Sequence, residues 1–414
     1  MDILYRCAAN ALNVYAAHPQ SIIPDRCSQY ENKLSIHNYN REIMHQRISK
    51  NLLIGLTIGC LFFSCVSKNR KPQDPKETQK GLVAKNERWS EEKANAWAKN
   101  NPWLRGANFN PSTSINQLEM WQAESFDPET IDRELGWAED IGFNCMRVYL
   151  HHVAWQVDKE GFKNRMKEYL SIADGHGIST IFVFLDDCWN PTYKAGKQPE
   201  PKPGIHNSGW IEDPGYLRST PDSILPVLET YVKDVLSSFK DDKRIVLWDL
   251  YNEPGNSGYR EKSLPLVKSI FLWAREINPS QPLTIGVFRI DLPNLNQFQL
   301  ENSDIITYHN YENEIDHQIA IDSLKKLNRP MLCTEYMARK RNSLFSNIMP
   351  ILKEQNIGAI NWGLVDGKSN TKYAWDEPTP DGSEPKLWFH EIFRNDGTPY
   401  KQDEVDLIKK LTKE

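Results

Sequence analysis

Ile245-Val246-Leu247-Trp248-Asp249-Leu250-Tyr251-Asn252 is a strand-like run that leads straight into Glu253-Pro254. A run of this kind fits several folds, and its repetition along the chain decides between them. Outward from it in both directions, β-branched or aromatic runs recur at 105–110, 143–150, 179–186, 283–288, 304–310, 330–336 and 358–364. Helical-period stretches separate them, and such alternation implies a parallel sheet. Asp127-Pro128 opens one helix, with proline at the first helical position and acids in the first turn. Ser219-Thr220-Pro221-Asp222 opens another that runs through Val227, Tyr231, Val235 and Phe239, while 263–277 and 316–327 supply two more. Eight strands with intervening helices predict an α/β fold, the (β/α)8 TIM barrel. The alternative, an open doubly wound sheet, would normally carry a glycine-rich phosphate turn. None is present, and no repeat of solenoid period exists.

The chain has 414 residues, 39% hydrophobic and 25% charged, which is ordinary for a soluble globular protein. A formal net charge of −5 without a basic cluster excludes nucleic acid as the expected partner. Thirteen tryptophans stand out. A flat apolar ring with one polar edge suits the face of a sugar, although it also fills a large barrel. Cys145, Cys188 and Cys333 lie inside apolar runs and read as small hydrophobes. No disulfide framework or CxxC metal pattern is present.

The front of the chain reads as an address. Met44-His45-Gln46-Arg47-Ile48-Ser49-Lys50 is a short basic stretch, followed by an apolar run too short to span a membrane comfortably. Its end, Phe62-Phe63-Ser64-Cys65, resembles a relaxed bacterial lipobox, which implies acylation at Cys65; Cys60 is a weaker alternative. The expected organisation is an upstream extension over 1–43 and a lipoprotein signal over 44–65. A polar tether and lead-in follows over 66–100, then the catalytic barrel over 101–414. The expected location is the bacterial cell envelope, with contact to the membrane only through the lipid anchor. The basic residues Lys68, Arg70 and Lys71 depart from an acidic surface-export tag, so the leaflet stays open.

In a barrel the chemistry sits at the C-terminal ends of the strands. Those ends carry Asn108 and Asn110, Arg147 and Tyr149, Asp186 and Asp187, Asn252 and Glu253, His309 and Tyr311, Glu335, and Asn361 and Trp362. Two carboxylates on separate strand ends are what glycosidic cleavage requires, one protonated to release the leaving oxygen and one ionised to attack the anomeric carbon. Arg147 can hold one of them ionised, and Tyr311 can hydrogen-bond the same group. Asn252 suits a sugar 2-hydroxyl and Trp362 the floor beneath the cleaved sugar. A single Glu after a strand is usually a solvated loop residue; the ring as a whole is not. His151-His152 read as strand neighbours that point to opposite faces, which disfavours a shared metal ion. His152 is then a substrate contact or a satisfied polar residue. Trp375 either covers the cleft or caps the barrel.

The segment 248–254 resembles the strand-four Asn-Glu-Pro signature of the large retaining β-glycosidase clan that includes cellulase-like and β-mannanase-like enzymes. Arg329-Pro330-Met331-Leu332-Cys333-Thr334-Glu335-Tyr336 is similar to the clan's strand-seven segment. The resemblance implies Glu253 as acid/base and Glu335 as nucleophile, with Arg147, His309, Tyr311 and Trp362 as their partners. It covers about 101–400, including the closing segment 388–400. It implies a β-linked glycan substrate and no cofactor or metal. The chain departs from cellulase-like enzymes after strand three, where a histidine is often expected. Here Asp186-Asp187-Cys188-Trp189-Asn190-Pro191 leads into an insertion over 191–215. Asp187 and Trp189 are therefore substrate-subsite candidates, with a loop-capping role the alternative for Asp187. A non-catalytic carbohydrate-binding barrel and a transglycosylase are the competing functions.

Overall fold

The computed structural model describes residues 87–413. The upstream extension, the signal with Cys65, and the tether as far as residue 86 lie outside the described residues. Among the described residues no helix is long and apolar enough to cross a membrane.

Eight strands form one sheet: β1 (Arg105–Asn108), β2 (Cys145–Tyr149), β3 (Ser179–Asp186), β4 (Ile245–Asn252), β5 (Leu283–Thr284), β6 (Ile306–His309), β7 (Met331–Glu335) and β8 (Gly358–Trp362). Neighbours run parallel in the order β5-β4-β3-β2-β1-β8-β7-β6, so β1 and β8 seal one side. The opposite seam is closed by a parallel bridge between Val287 and Tyr308, with Val287 N–H donating to Thr307 and His309 N–H donating to Val287. This is the (β/α)8 barrel that the alternation predicts. The run at 283–288 contributes only two residues of strand, because pairing beyond them is reduced to that bridge.

The helices follow their sequence signals. The helix Pro128–Asp140 has Pro128 at its start, and the Asp127 side chain accepts the Thr130 N–H, which satisfies one of the free donors of the first turn. Helix Pro221–Phe239 buries Tyr231, Val235 and Phe239 against the strands, and Leu264–Ile277 and Glu314–Leu324 occupy the other two expected positions.

Strand periodicity sorts side chains into layers. On β2, Cys145, Arg147 and Tyr149 face the interior at successive heights, because alternate residues share a face. Cys145 joins Ile181, Leu247, Leu332 and Ile360 in the apolar bottom layer. Ala94 and Trp97 of helix Glu91–Asn100 plug that layer from below. Arg88 ties the plug to the barrel through the Ser303 and Leu300 carbonyls. The packed unit thus begins at about residue 88 and not at 101, a correction to the expected tether boundary. The reason is burial: a polar-looking stretch carries Ala94 and Trp97, which close the barrel floor, and the buried Trp89.

On the outer face Phe182 and Phe184 stack with Trp248 and meet Tyr231 and Trp121 under the helices. Trp121, Trp155, Trp248 and Trp388 are all but fully buried. Much of the tryptophan excess is therefore core, each ring costing about 3–5 kcal/mol if truncated.

Candidate active site

The interior layer above the apolar floor is polar and centred on Arg147. Its guanidinium donates to Asp249 from Nε (3.0 Å) and Nη2 (2.8 Å), to Asn252 Oδ1 (2.8 Å), to Asn108 Oδ1 (2.8 Å) and to Glu335 Oε1 (3.0 Å). A fixed fork of donors in a buried site suits arginine better than lysine. Asp249 supplies the full counter-charge that lets an arginine sit at 0% exposure. Arg147 on β2 thus draws together Asn108 of β1, Asp249 and Asn252 of β4 and Glu335 of β7.

Glu335 closes β7 and is wholly engaged. Oε1 accepts from Arg147 and from the Tyr149 hydroxyl (3.0 Å), and Oε2 accepts from the Tyr311 hydroxyl (2.8 Å). Burial pushes its pKa up and nearby Glu253 adds to that, while His309, Arg147 and the Tyr311 hydrogen bond oppose the rise. Glu253 follows β4 and among the described residues has no cation in hydrogen-bond contact. Its Oε2 accepts from Asn256 Nδ2 (2.5 Å) and from the Cys188 thiol (3.3 Å), and burial again raises its pKa. His309 Nδ1 lies 2.7 Å from Glu253 Oε1 and 3.4 Å from Glu335 Oε2. Burial drives the His309 pKa down to about 4, so the ring is neutral near pH 7, with Nδ1 set between the two glutamates. One oxygen of each glutamate and the His309 nitrogen fall within 4.8 Å of one another.

The backbone at Glu253 is left-handed, φ +43°, a strained conformation for a residue with a side chain. Asp187 holds it there. Its Oδ2 accepts the Gly255 N–H (2.7 Å) and the Ser263 hydroxyl (2.6 Å), its Oδ1 accepts the Tyr251 hydroxyl (2.6 Å), and Arg218 pairs with the same carboxylate. Gly255 has φ +97° and a Cβ there would meet the Arg260 carbonyl at 2.8 Å, so the turn after Pro254 needs glycine. Asp187 is buried and saturated, which corrects its reading as a subsite residue: it braces the loop that carries Glu253.

Of the two readings of His152, its surroundings fit the satisfied polar residue and not the substrate contact. It is fully buried, its Nδ1 lies 2.6 Å from Asp213, and its backbone N–H donates to the same carboxylate (2.8 Å). The two histidines are not strand neighbours on opposite faces, because β2 has ended and His151 caps the helix His152–Val157. Their rings stack at 5.1 Å, and with Asp213 they form a second group of metal-type ligands within 4.8 Å. His151 Nδ1 accepts the Val153 N–H and His152 Nδ1 is paired with Asp213, so both of these nitrogens already have partners.

Asn252 is buried at the centre, its Oδ1 turned to Arg147 and its Nδ2 donating to Asp186 (3.0 Å). Trp362 is partly buried and meets Tyr149 and Trp210 edge-to-face at 5.9 and 5.7 Å. The insertion over 191–215 lines the mouth and delivers Trp210 and His206. Trp189, 40% exposed, packs on His206 at 5.1 Å, which meets Trp375 at 6.1 Å. Trp375 meets Tyr311 at 5.0 Å, so an aromatic wall runs from the Glu335 carboxylate out to solvent.

Asp249, Asn256 and Cys188 carry site contacts that the sequence does not assign, and Tyr149, placed in the strand-end ring, gains its contact with Glu335 only from the structure. Asp249 had a visible signal, a carboxylate inside an apolar strand. Cys188 had none, since its role depends on the loop that brings its sulfur to Glu253.

No protein-family model matches the chain, and no curated protein matches its sequence. Among solved structures it is similar to a GH5_18 protein from Streptomyces cattleya in complex with GlcNAc, at TM-score 0.53 and 11% identity over 75% of this chain and 79% of that one. It is also similar to the endo-β-1,4-mannanase of Thermotoga petrophila, at TM-score 0.51 and 15% identity over 76% and 77%. A GH5_18 variant from Bifidobacterium longum in complex with Manβ1-4GlcNAc gives 0.52 and 13% over 75% and 78%. At such identities the likeness speaks for the barrel fold shared with these glycoside hydrolases.

Proposed function

We propose that the chain is a retaining glycoside hydrolase of β-linked glycans, with Glu253 as acid/base and Glu335 as nucleophile. The observation that carries this is the separation of the two carboxylates, whose nearest oxygens lie within 4.8 Å. Retaining enzymes hold the pair about 5–5.5 Å apart, whereas inverting enzymes need about 6.5–9.5 Å to admit a water between carboxylate and sugar. The unequal surroundings support the assignment of roles. Glu335 has Arg147 and two phenols to stabilise its anion, and Glu253 has only neutral partners. In the first step a Glu335 oxygen bonds to the anomeric carbon while the glycosidic oxygen leaves with the Glu253 proton. Water then attacks the glycosyl ester, gives its proton to Glu253 and releases Glu335 as the carboxylate. Arg147 and Tyr149 keep the nucleophile aimed, and Trp362 supports the sugar ring.

The mannan- and Manβ1-4GlcNAc-related neighbours put β-mannosides first in a substrate panel. Glu335→Ala is expected to abolish turnover of an aryl β-glycoside, and azide to restore it as the glycosyl azide. Wild-type turnover in that variant would remove the nucleophile from Glu335, and an initially inverted anomer in NMR would remove the retaining mechanism. We also propose lipid anchoring at Cys65 in a bacterial envelope, tested by loss of palmitate labelling in Cys65→Ala.

A further inference from the structure

The two carboxylates of the cleft and the imidazole between them make up a set of metal-type ligands. His309 Nδ1 lies 2.7 Å from Glu253 Oε1 and 3.4 Å from Glu335 Oε2, and one atom of each residue falls within 4.8 Å of the others. A tetrahedral zinc ion with bonds of about 2.0–2.1 Å sets its ligands about 3.3 Å apart. The triangle is therefore close to the size that one such ion spans, with Glu253 Oε1 drawing back by roughly half an ångström. Among the described residues Glu253 Oε1 has no hydrogen-bond donor besides His309, because Asn256 and Cys188 donate to Oε2.

Charge and access favour an ion at this point. Asp249, 2.8 Å from Arg147, offsets the guanidinium, so the ionised pair presents two negative charges that a dication cancels. The Glu253 side chain is 13% exposed and that of Glu335 6%, so an ion reaches both from the mouth. The other group of metal-type ligands, His151, His152 and Asp213, has no such opening, with at most 1% of any of its side chains exposed. Carboxylates joined to an imidazole suit zinc, whereas magnesium and calcium take oxygen ligands in larger number. His309 Nε2 is buried without a partner, so it takes the ring hydrogen when Nδ1 binds metal but has no acceptor to steady it. Such support behind a ligand is worth about 10–100-fold in affinity, so the site holds its ion reversibly.

We propose that Glu253, His309 and Glu335 form a cleft site for one zinc-type dication, which inhibits the enzyme while it is bound. The inhibition rests on the hydrolase reading above, and the binding does not. With the ion in place Glu253 has released its proton to water and both carboxylates are coordinated. Neither acid nor nucleophile is then available to the substrate. The ion and the cleaved sugar need the same space and exclude one another.

Calorimetric titration of the full chain with zinc chloride tests the binding. Glu253→Gln and Glu335→Gln keep the side-chain volume and each remove one anionic ligand. In both, one zinc ion per chain is expected to be lost or held more than about tenfold weaker. Folded variants with the wild-type zinc stoichiometry and affinity overturn the site, and His309→Asn reads the same ion should a glutamine variant not fold. Loss of that ion in Asp213→Asn with retention in Glu253→Gln assigns it to the other histidine group and overturns the proposal equally. A magnesium ion lost on the same glutamine substitutions overturns the zinc-type assignment. For the inhibition, zinc is expected to slow wild-type hydrolysis of an aryl β-glycoside competitively, with Ki equal to the calorimetric Kd and full recovery on adding EDTA. Non-competitive inhibition, or a Ki unequal to Kd, overturns that half. If the wild type cleaves no β-glycoside the hydrolase reading has failed, and the calorimetric comparison of variants still decides the site.

Discussion

Replacing Arg147 by methionine removes the one cation among the described residues in hydrogen-bond contact with Glu335, 3.0 Å from Oε1. At an effective dielectric of about 20, that contact corresponds to ~5 kcal/mol of Coulomb attraction. Asp249, 2.8 Å from the same guanidinium, cancels part of the field that reaches Glu335. A net rise of about two pH units in the Glu335 pKa, ~3 kcal/mol, is the expected outcome. The sign is upward because burial already pushes this carboxyl up and Arg147 is among the groups holding it down. The acid limb of the kcat/KM profile for an aryl β-glycoside therefore moves to higher pH by that amount. Stability follows the same linkage. A carboxyl whose folded pKa is raised is fully tolerated below the ordinary Glu value and loses stability as pH climbs through the folded pKa. The variant is expected to gain more thermal stability than wild type between pH 8 and pH 5. Orphaning Asp249 costs a further ~3–5 kcal/mol, which Arg147→Met/Asp249→Leu returns without restoring the acid limb. A folded Arg147→Met protein whose acid limb lies within about 0.3 pH units of wild type would refute the electrostatic role given to Arg147.

Glu253→Gln is expected to lower kcat for a poor leaving group by about 10²–10⁴-fold and far less for a dinitrophenolate, as leaving-group series read directly. Cys188→Val removes the thiol that donates to Glu253 Oε2, a contact that holds its pKa down; the alkaline limb of the pH profile should move up, and an unmoved limb would empty the contact of function. Trp189→Ala, at a 40% exposed position, should raise KM for long glycans while leaving Tm unchanged, whereas Trp248→Ala, at 0% exposure, should cost about 3–5 kcal/mol of stability by chemical denaturation.

The sequence by itself determined the barrel, because eight apolar runs separated by amphipathic stretches leave a closed barrel or an open doubly wound sheet, and the glycine-rich turn of the latter is absent. It also determined the candidate pair, since Glu253 and Glu335 each end a strand and the fold sends every strand end to the same face. What only the tertiary structure decided are relations across loops. Asp187 and Trp189 lie two residues apart in one polar segment, yet one is a saturated brace beneath Glu253 and the other an exposed ring at the mouth. His151 and His152 were misread because the strand ends earlier than its apolar pattern, and a helix cap turns both rings one way. Residues 88–97 look polar, and only the open floor of a barrel makes them a plug. Cys188 carries no local signal, because a thiol acquires its chemistry from the partners and the burial that distant segments bring to it.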